Sequence, residues 1–525
     1  MTTLSTLVLL QVDAGVVPRT TFGLINYAIL IAYLGLNLLV GIYFARRQKS
    51  TNDYFRGGQR ISWWAAGIAI FGTQLSSLSF MAVPAKTYAT DWTYITAAVA
   101  VVLVAPIVVL AYLPFFRRLD ITSAYEYLEK RFNLGVRLFG STAFVLMQTG
   151  RMAIVLYLPA LALSVVSDVN IYVCLITMGM LSTIYTILGG AEAVTWTEVL
   201  QFFVLVGSAL LTLFLIFNSV AGGFSELVQT AYADGKLQMA IWSWDYSIAS
   251  IWVVLIGNLF AQLVPYTSDQ AVIQRYLTTP DEKQASRAIW LNALFTLPSA
   301  LIFYGIGTSL YVFYKQNPNL VSSSLQNDAI FPWFIVNQMP VGLSGLVIAG
   351  LFAAGQSGSQ ASIATAIVTD FYERLNPNAE DWKALRLARW LTLLLGVAGV
   401  GAAALMATYP IKSVWDIFLT ILGLFGGSLA GVFALGIFTK RAHAAGAVIG
   451  IIVSVVVLFL VQRYTAVHFF LYAGIGIVVC VIAGYVASIL IPGKTKSLEG
   501  LTIFTMKKRA VETAQTSETE AATYV

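Results

Sequence analysis

Ser62 to Pro84 reads SWWAAGIAIFGTQLSSLSFMAVP. The run is long and apolar enough at both ends to cross a bilayer, which takes a helix of about 20 mostly apolar residues. In its middle, Gly72-Thr73-Gln74-Leu75-Ser76-Ser77-Leu78-Ser79 puts six small or polar residues in eight, at the depth where a spanning helix is ordinarily most apolar. Such a segment can unwind. A helix broken at mid-membrane frees carbonyls that can hold a cation, and its half-helix N-terminus can face an anionic group. The plainer account is a small-residue packing face with satisfied hydroxyls, which Gln74 fits poorly.

The surrounding chain fits a membrane setting. It has 525 residues, 58% hydrophobic and only 11% charged, whereas soluble domains are near 25% charged; a large soluble core is excluded. The net charge of +6 does not point to nucleic acid, because the basic residues form short clusters between long apolar runs, a topological pattern. Cys174 and Cys480 lie inside apolar spans without metal-ligand spacing, and His443 and His468 cannot build a metal site. Residues 1–22 hold a short apolar stretch, Leu7 to Val17, broken by Asp13 and preceded by no basic residue. That makes a poor signal peptide and is read as a short extracytoplasmic N-terminus.

Candidate spans fall at 23–45, 62–84, 91–115, 137–166, 170–188, 193–218, 246–269, 288–314, 333–369, 386–408, 413–438, 443–462 and 467–491, about thirteen helices in an all-α polytopic membrane protein. The stretch 333–369 is too long for one crossing, and part of it is expected as a lead-in helix on the membrane surface. With the N-terminus outside, alternate loops collect 24 basic residues on one side and 6 on the other. That asymmetry places the C-terminus in the cytoplasm of a bacterial-type inner membrane.

The basic residue left over is Arg151, near the middle of 137–166 with no other charge between Arg137 and Asp168. An intramembrane arginine costs a few kcal/mol on insertion scales and is a functional candidate by default; the alternative is a structural partner for a buried carboxylate or free carbonyls. Two more polar interruptions accompany it: Ala353 to Ser362 (AAGQSGSQAS) within 333–369, and Gln262 to Asp269 (QLVPYTSD) at the end of 246–269, where Pro265 removes a backbone donor. Neutral oxygens with few carboxylates suit a weakly held monovalent ion better than magnesium or calcium. Sodium is the natural candidate. If the second and seventh spans occupy equivalent positions, 23–45 lies outside two five-helix repeats, 62–218 and 246–438; two C-terminal helices at 443–491 and a cytoplasmic tail at 492–525 follow.

At these residues the sequence resembles the sodium:solute symporter family. The resemblance is carried by Asp53-Tyr54-Phe55-Arg56-Gly57-Gly58; by Tyr185 to Gly190 with Ala193 to Gln201; by Asp269-Gln270 with Ile273 to Leu277; and by Gly431-Val432-Phe433 with Gly436 to Arg441. It implies a five-plus-five inverted repeat with broken helices that works by alternating access. It also implies a sodium site at Gly72, Leu75, Ala354 and Ser357, with Gly358 where a second serine is expected. The serine-rich run looks shorter than the family's, leaving Ser359 or Ser362 to supply the missing hydroxyl. Some members have a second cation site using an aspartate where this chain has Glu198, so Glu198 with Ser357 is left open between a second sodium, a proton and a structural salt bridge.

Within the family the sialic acid carriers look most similar, through Trp63 to Gly67, Phe80 to Lys86, Asp91-Trp92 and Gly150 to Ala160. The resemblance then implies that Arg151 pairs with a substrate carboxylate, a task its rigid guanidinium fork suits. Gln74, Ser76, Ser79 and Tyr94 would line the pocket, with Gln262 from the third interruption; Ala98 falls where a glutamine is expected. The expected function is sodium-coupled symport of a small polar solute, an acidic sugar such as sialic acid. The alternatives are a neutral sugar, another carboxylate solute, or a solute sensor built on the same fold. No pair of titratable groups suggests acid/base chemistry, so no enzyme is expected. The partners are the solute, sodium and the lipid bilayer, with the chain acting as a monomer.

Overall fold

In a computed structural model, residues 22–74, 77–167, 169–321, 325–353, 357–409, 416, 418, 420, 422–493 and 496–505 are described. The principal helices are α1 (Leu24–Ala45), α2 (Trp63–Gln74), α3 (Ser77–Ala89), α4 (Thr96–Ile107), α5 (Leu134–Ser167), α6 (Ile171–Ser219), α7 (Ile251–Thr267), α8 (Gln270–Leu277) and α9 (Glu282–Gln316). They continue with α10 (Ile330–Gln338), α11 (Leu343–Ala353), α12 (Ser357–Ile367), α13 (Asp381–Met406), α14 (Gly427–Phe438), α15 (Ala444–Tyr464) and α16 (Tyr472–Leu490). Among the described residues eight helices are long and apolar enough to cross a membrane, or ten when each of two bent pairs is taken as one span. In hydrocarbon every backbone donor and acceptor must be satisfied within the chain, and helices achieve this segment by segment.

The breaks have local causes. Helix α6 runs 49 residues but contains Gly190 at φ 56°, ψ −154°, a conformation essentially reserved for glycine, and is two helices joined there. This kink lies in the gap between the expected spans 170–188 and 193–218. Helices α7 and α8 meet at 58°, with Asp269 between them: its carboxylate accepts the Ala271 backbone N–H at 2.8 Å and caps α8, satisfying a donor the helix start leaves free. Helices α2 and α3, on either side of the first interruption, meet at 48°; of the second interruption, residues 354–356 lie outside the described residues.

The lead-in helix differs from expectation. Residues 330–338 do form a separate helix, α10, but Ile330 to Val336 are all buried in the protein rather than lying on a membrane surface. The sequence IFPWFIV is apolar all round, and a helix with no polar face belongs inside.

Helix α1 packs on α6 and α11. Its buried Asn26 accepts the backbone N–H groups of Gly342 (2.7 Å) and Gly345 (3.2 Å), capping α11. At one end of the bundle, Arg137 of α5 donates to Asp370 (2.8 Å), Glu129 (2.8 Å) and the Thr369 carbonyl (3.0 Å). Arg374 and Arg137 together hold the Glu129 carboxyl below its ordinary range. Arg117 donates to the carbonyls of Leu277, Thr279 and Pro280, which joins two of the basic loops. Lys236 donates to the carbonyls of Tyr88 (2.9 Å) and Thr90 (2.8 Å), while Lys315 pairs with Asp234, gathering loops that the basic-residue alternation assigns to the other side.

Candidate functional site

Gln148 and Arg151 are three residues apart on α5, so they share a helix face. Arg151, its side chain only 14% exposed, donates through Nη2 to the Thr73 carbonyl, one residue from the end of α2, and through Nη1 reaches Asp269 Oδ2 at 3.5 Å. Its guanidinium carbon stands 5.8 Å from the Phe418 ring centroid. Gln148 donates to Asp269 Oδ1 at 2.7 Å and accepts from the Ser359 hydroxyl at 3.3 Å. The end of α2, the α7–α8 bend and the first turn of α12 therefore converge on one arginine and its neighbouring glutamine.

A second ionic pair lies beside the first. Glu198 of α6, buried, accepts from Arg275 of α8 at 2.8 and 3.0 Å, a bidentate contact, and from the Thr73 hydroxyl at 3.3 Å. Two glycines border this pair. A Cβ on Gly72 would touch the Glu198 Cβ and carbonyl at 3.6 Å, and a Cβ on Gly358 would come within 2.9 Å of Glu198 Oε1 and 3.3 Å of Arg275 Nη2. A side chain at 358 would therefore crowd the Glu198 carboxylate and the Arg275 guanidinium.

A hydrogen-bonded polar layer adjoins the α2 break. Gln74 donates to the Tyr266 hydroxyl at 3.5 Å, Asn292 also contacts that hydroxyl, and Ser79 donates to the Gln74 carbonyl at 3.0 Å. Gln262 sits one turn before Tyr266 on α7. Its Oε1 and the Asn292 Oδ1 are buried without a hydrogen-bond partner among the described residues.

The structure thus brings Gln74, Ser79 and Gly72 together around the α2 break, and Arg151, Ser359, Gly358 and Glu198 around the start of α12. Tyr94 stands apart from the Gln74 layer: its neighbours are Phe470, with ring centroids 5.0 Å apart, and the Lys86 ammonium 5.2 Å from its ring, which itself pairs with Asp416 at 3.0 Å. Leu75, Ser76, Ala354 and the side chain of Ser357 lie outside the described residues. Sequence reasoning missed Gln148, Asp269, Arg275 and Asn292 as members of the site. The signal for Gln148 was its spacing from Arg151. For Asp269 it was a capping residue directly after a proline-containing polar break.

The sodium:solute symporter family model matches residues 54–454. The sodium/sialic acid symporter NanT of Aliivibrio fischeri is 40% identical over 499 residues, 94% of this chain and 99% of its own. The sodium/sialic acid symporter SiaT of Proteus mirabilis is 42% identical over 484 residues, 91% and 98% of the two chains. Among solved structures, a Na+-coupled sialic acid symporter, substrate-bound and outward-open, superposes with a TM-score of 0.85 at 40% identity, covering 90% of this chain and all of that one. The transporter Mhp1, at 14% identity and a TM-score of 0.55, shares the fold alone. The all-helical inverted-repeat transporter fold and the coupling to sodium expected from the sequence are shown by these matches, and no enzyme is among these relatives. The chain belongs to the sodium:solute symporter family and is a multi-pass membrane carrier driven by sodium.

Proposed function

We propose that this chain carries an acidic sugar of the sialic acid kind into the cell together with sodium, and that Arg151 seats the substrate carboxylate. The observation that carries this reading is a nearly buried guanidinium held by one carbonyl and one long carboxylate contact, together with the amide oxygens of Gln262 and Asn292, which have no donor among the described residues. A charge-assisted fork closes at about 2.7–2.9 Å, so the 3.5 Å contact leaves Arg151 with capacity for a better-placed carboxylate. Buried unpaired amide oxygens are uncommon enough to want an explanation, and the hydroxyls of a sugar are suitable donors for Gln262 and Asn292. Two relatives at 40% identity or more are named for sialic acid transport.

In the same proposal, repeats 62–218 and 246–438 form the moving core, 23–45 and 443–491 flank it, the N-terminus is outside, and the tail 492–525 is cytoplasmic. Sodium is held by neutral oxygens at Gly72, Leu75, Ala354 and Ser357, with Ser359 close by, while Glu198 serves as the partner of Arg275 rather than as a second cation site. The chain acts as a monomer.

The test is binding of sialic acid and of its methyl ester to purified, monodisperse protein. The acid is expected to bind far more tightly than the ester. Arg151→Ala should weaken the acid by roughly 30-fold to several-thousand-fold, the loss of a desolvated charge pair of about 2 to 5 kcal/mol, and Arg151→Lys should rescue only part, since it keeps the charge but not the fork. Equal binding of acid and ester by wild type contradicts the carboxylate reading and makes a neutral sugar the better one.

A further inference from the structure

We infer that Asp269 is the resident counter-ion of Arg151, which the substrate carboxylate displaces, so that Asp269 sets how tightly and how selectively an acid is held. This rests on the proposed role of Arg151. A guanidinium stays charged in any protein setting, and an isolated charge out of water costs several kcal/mol, so the carrier needs an anion beside Arg151 when no substrate is there. Asp269 meets that need from a fixed position. Its Oδ1 is tied to the Ala271 N–H (2.8 Å) and to Gln148 (2.7 Å), while Oδ2 accepts from Arg151 alone among the described residues, at 3.5 Å.

The geometry makes Asp269 a weak rival. It is anchored by two short bonds that do not involve Arg151, and so it cannot advance to close the long contact without giving up the cap of α8 or the bond from Gln148. A free carboxylate has no such constraint and can take the fork at full strength. Once it does, Asp269 becomes a like charge beside the bound acid, which limits its affinity and favours release. A neutral ester meets no such repulsion and gains no fork. The same carboxylate therefore neutralises the empty site and promotes unloading of the filled one. Gln148 carries the arrangement further, because the side chain that anchors Asp269 also accepts the Ser359 hydroxyl at the start of α12.

The test is Asp269→Asn, which keeps an N-cap acceptor and an oxygen for Gln148 while removing the rival charge. Sialic acid should bind about tenfold more tightly than to wild type, its methyl ester within about twofold of wild type, and counterflow of labelled sialic acid should slow as release becomes limiting. Added acid should also raise the melting temperature of the variant by more than it raises that of wild type, a shift that loss of a purely structural residue does not give. Asp269→Glu, whose carboxylate reaches closer to Arg151, should weaken the acid and leave the ester unmoved, and it carries the test if the asparagine variant fails to fold. Unchanged or weaker acid binding in a folded Asp269→Asn protein overturns the inference, as does an equal shift of acid and ester. Failure of the underlying reading is distinct: wild type itself would then bind acid and ester alike.

Discussion

Arg151 and Glu198 sit on different spanning helices, yet the counter-charges of both come from one short element. Asp269 caps α8 and Arg275 lies within it. The two pairs differ in quality: Glu198 with Arg275 is bidentate at 2.8 and 3.0 Å, and Arg151 with Asp269 is a single contact at 3.5 Å. In the proposed reading the tight pair is a structural clamp and the loose one the substrate site. Glu198→Gln should consequently leave Arg275 charged and buried, a loss of about 3 to 5 kcal/mol in stability, read as a marked fall in melting temperature and yield. The sodium activation of whatever protein remains folded should stay as in wild type; reduced sodium dependence would instead assign Glu198 to a cation site. Arg151 was legible in the sequence because it is the only basic residue placed neither beside a span end nor in a loop. Its partner was not, since the pairing spans 118 positions along the chain and only packing brings them together.

At the level of elements, the polar interruptions were readable from composition, and two of them coincide with bends between helices, α2 with α3 at 48° and α7 with α8 at 58°; the interruption at 353–362 runs through residues 354–356, which lie outside the described residues. The split of α6 was readable as well, because two spans were needed where Gly189-Gly190 falls. What composition could not supply was the fate of 330–338, whose apolar surround suited a bilayer surface and a protein interior equally until neighbouring helices claimed it. The break in α6 gives a sharp prediction. At Gly190 any Cβ would meet the Tyr54 carbonyl at 2.8 Å and its ring at 2.9 Å, on top of a backbone conformation that costs a non-glycine residue about 1 to 3 kcal/mol. Gly190→Ala should lower thermal stability by at least that amount and depress uptake, whereas Gly207→Ala, with open space around it, should leave both near wild type. Equal effects at the two glycines would contradict the account of the kink.

Across the whole molecule, two arrangements of charge work at different ranges. In the proposed topology the basic loops, 24 residues against 6, orient the chain during insertion, while charges within the helices are paired at close quarters. The orientation proposed from the sequence depends on counts along the chain; the pairing was not legible there, because it depends on which helices meet. Labelling with an impermeant maleimide checks the orientation: a cysteine introduced at Lys315 should react from outside intact cells and one at Lys283 should not, and labelling of both would break the proposed topology.

Sodium-driven entry of an acidic sugar is read most plainly from uptake of labelled sialic acid into proteoliposomes under an imposed inward sodium gradient. Uptake should rise transiently above the equilibrium level, fall to the equilibrium level when choline replaces sodium at constant membrane potential, and be competed by unlabelled sialic acid but not by its methyl ester. Accumulation that persists without sodium, or competition by acid and ester alike, would contradict the account.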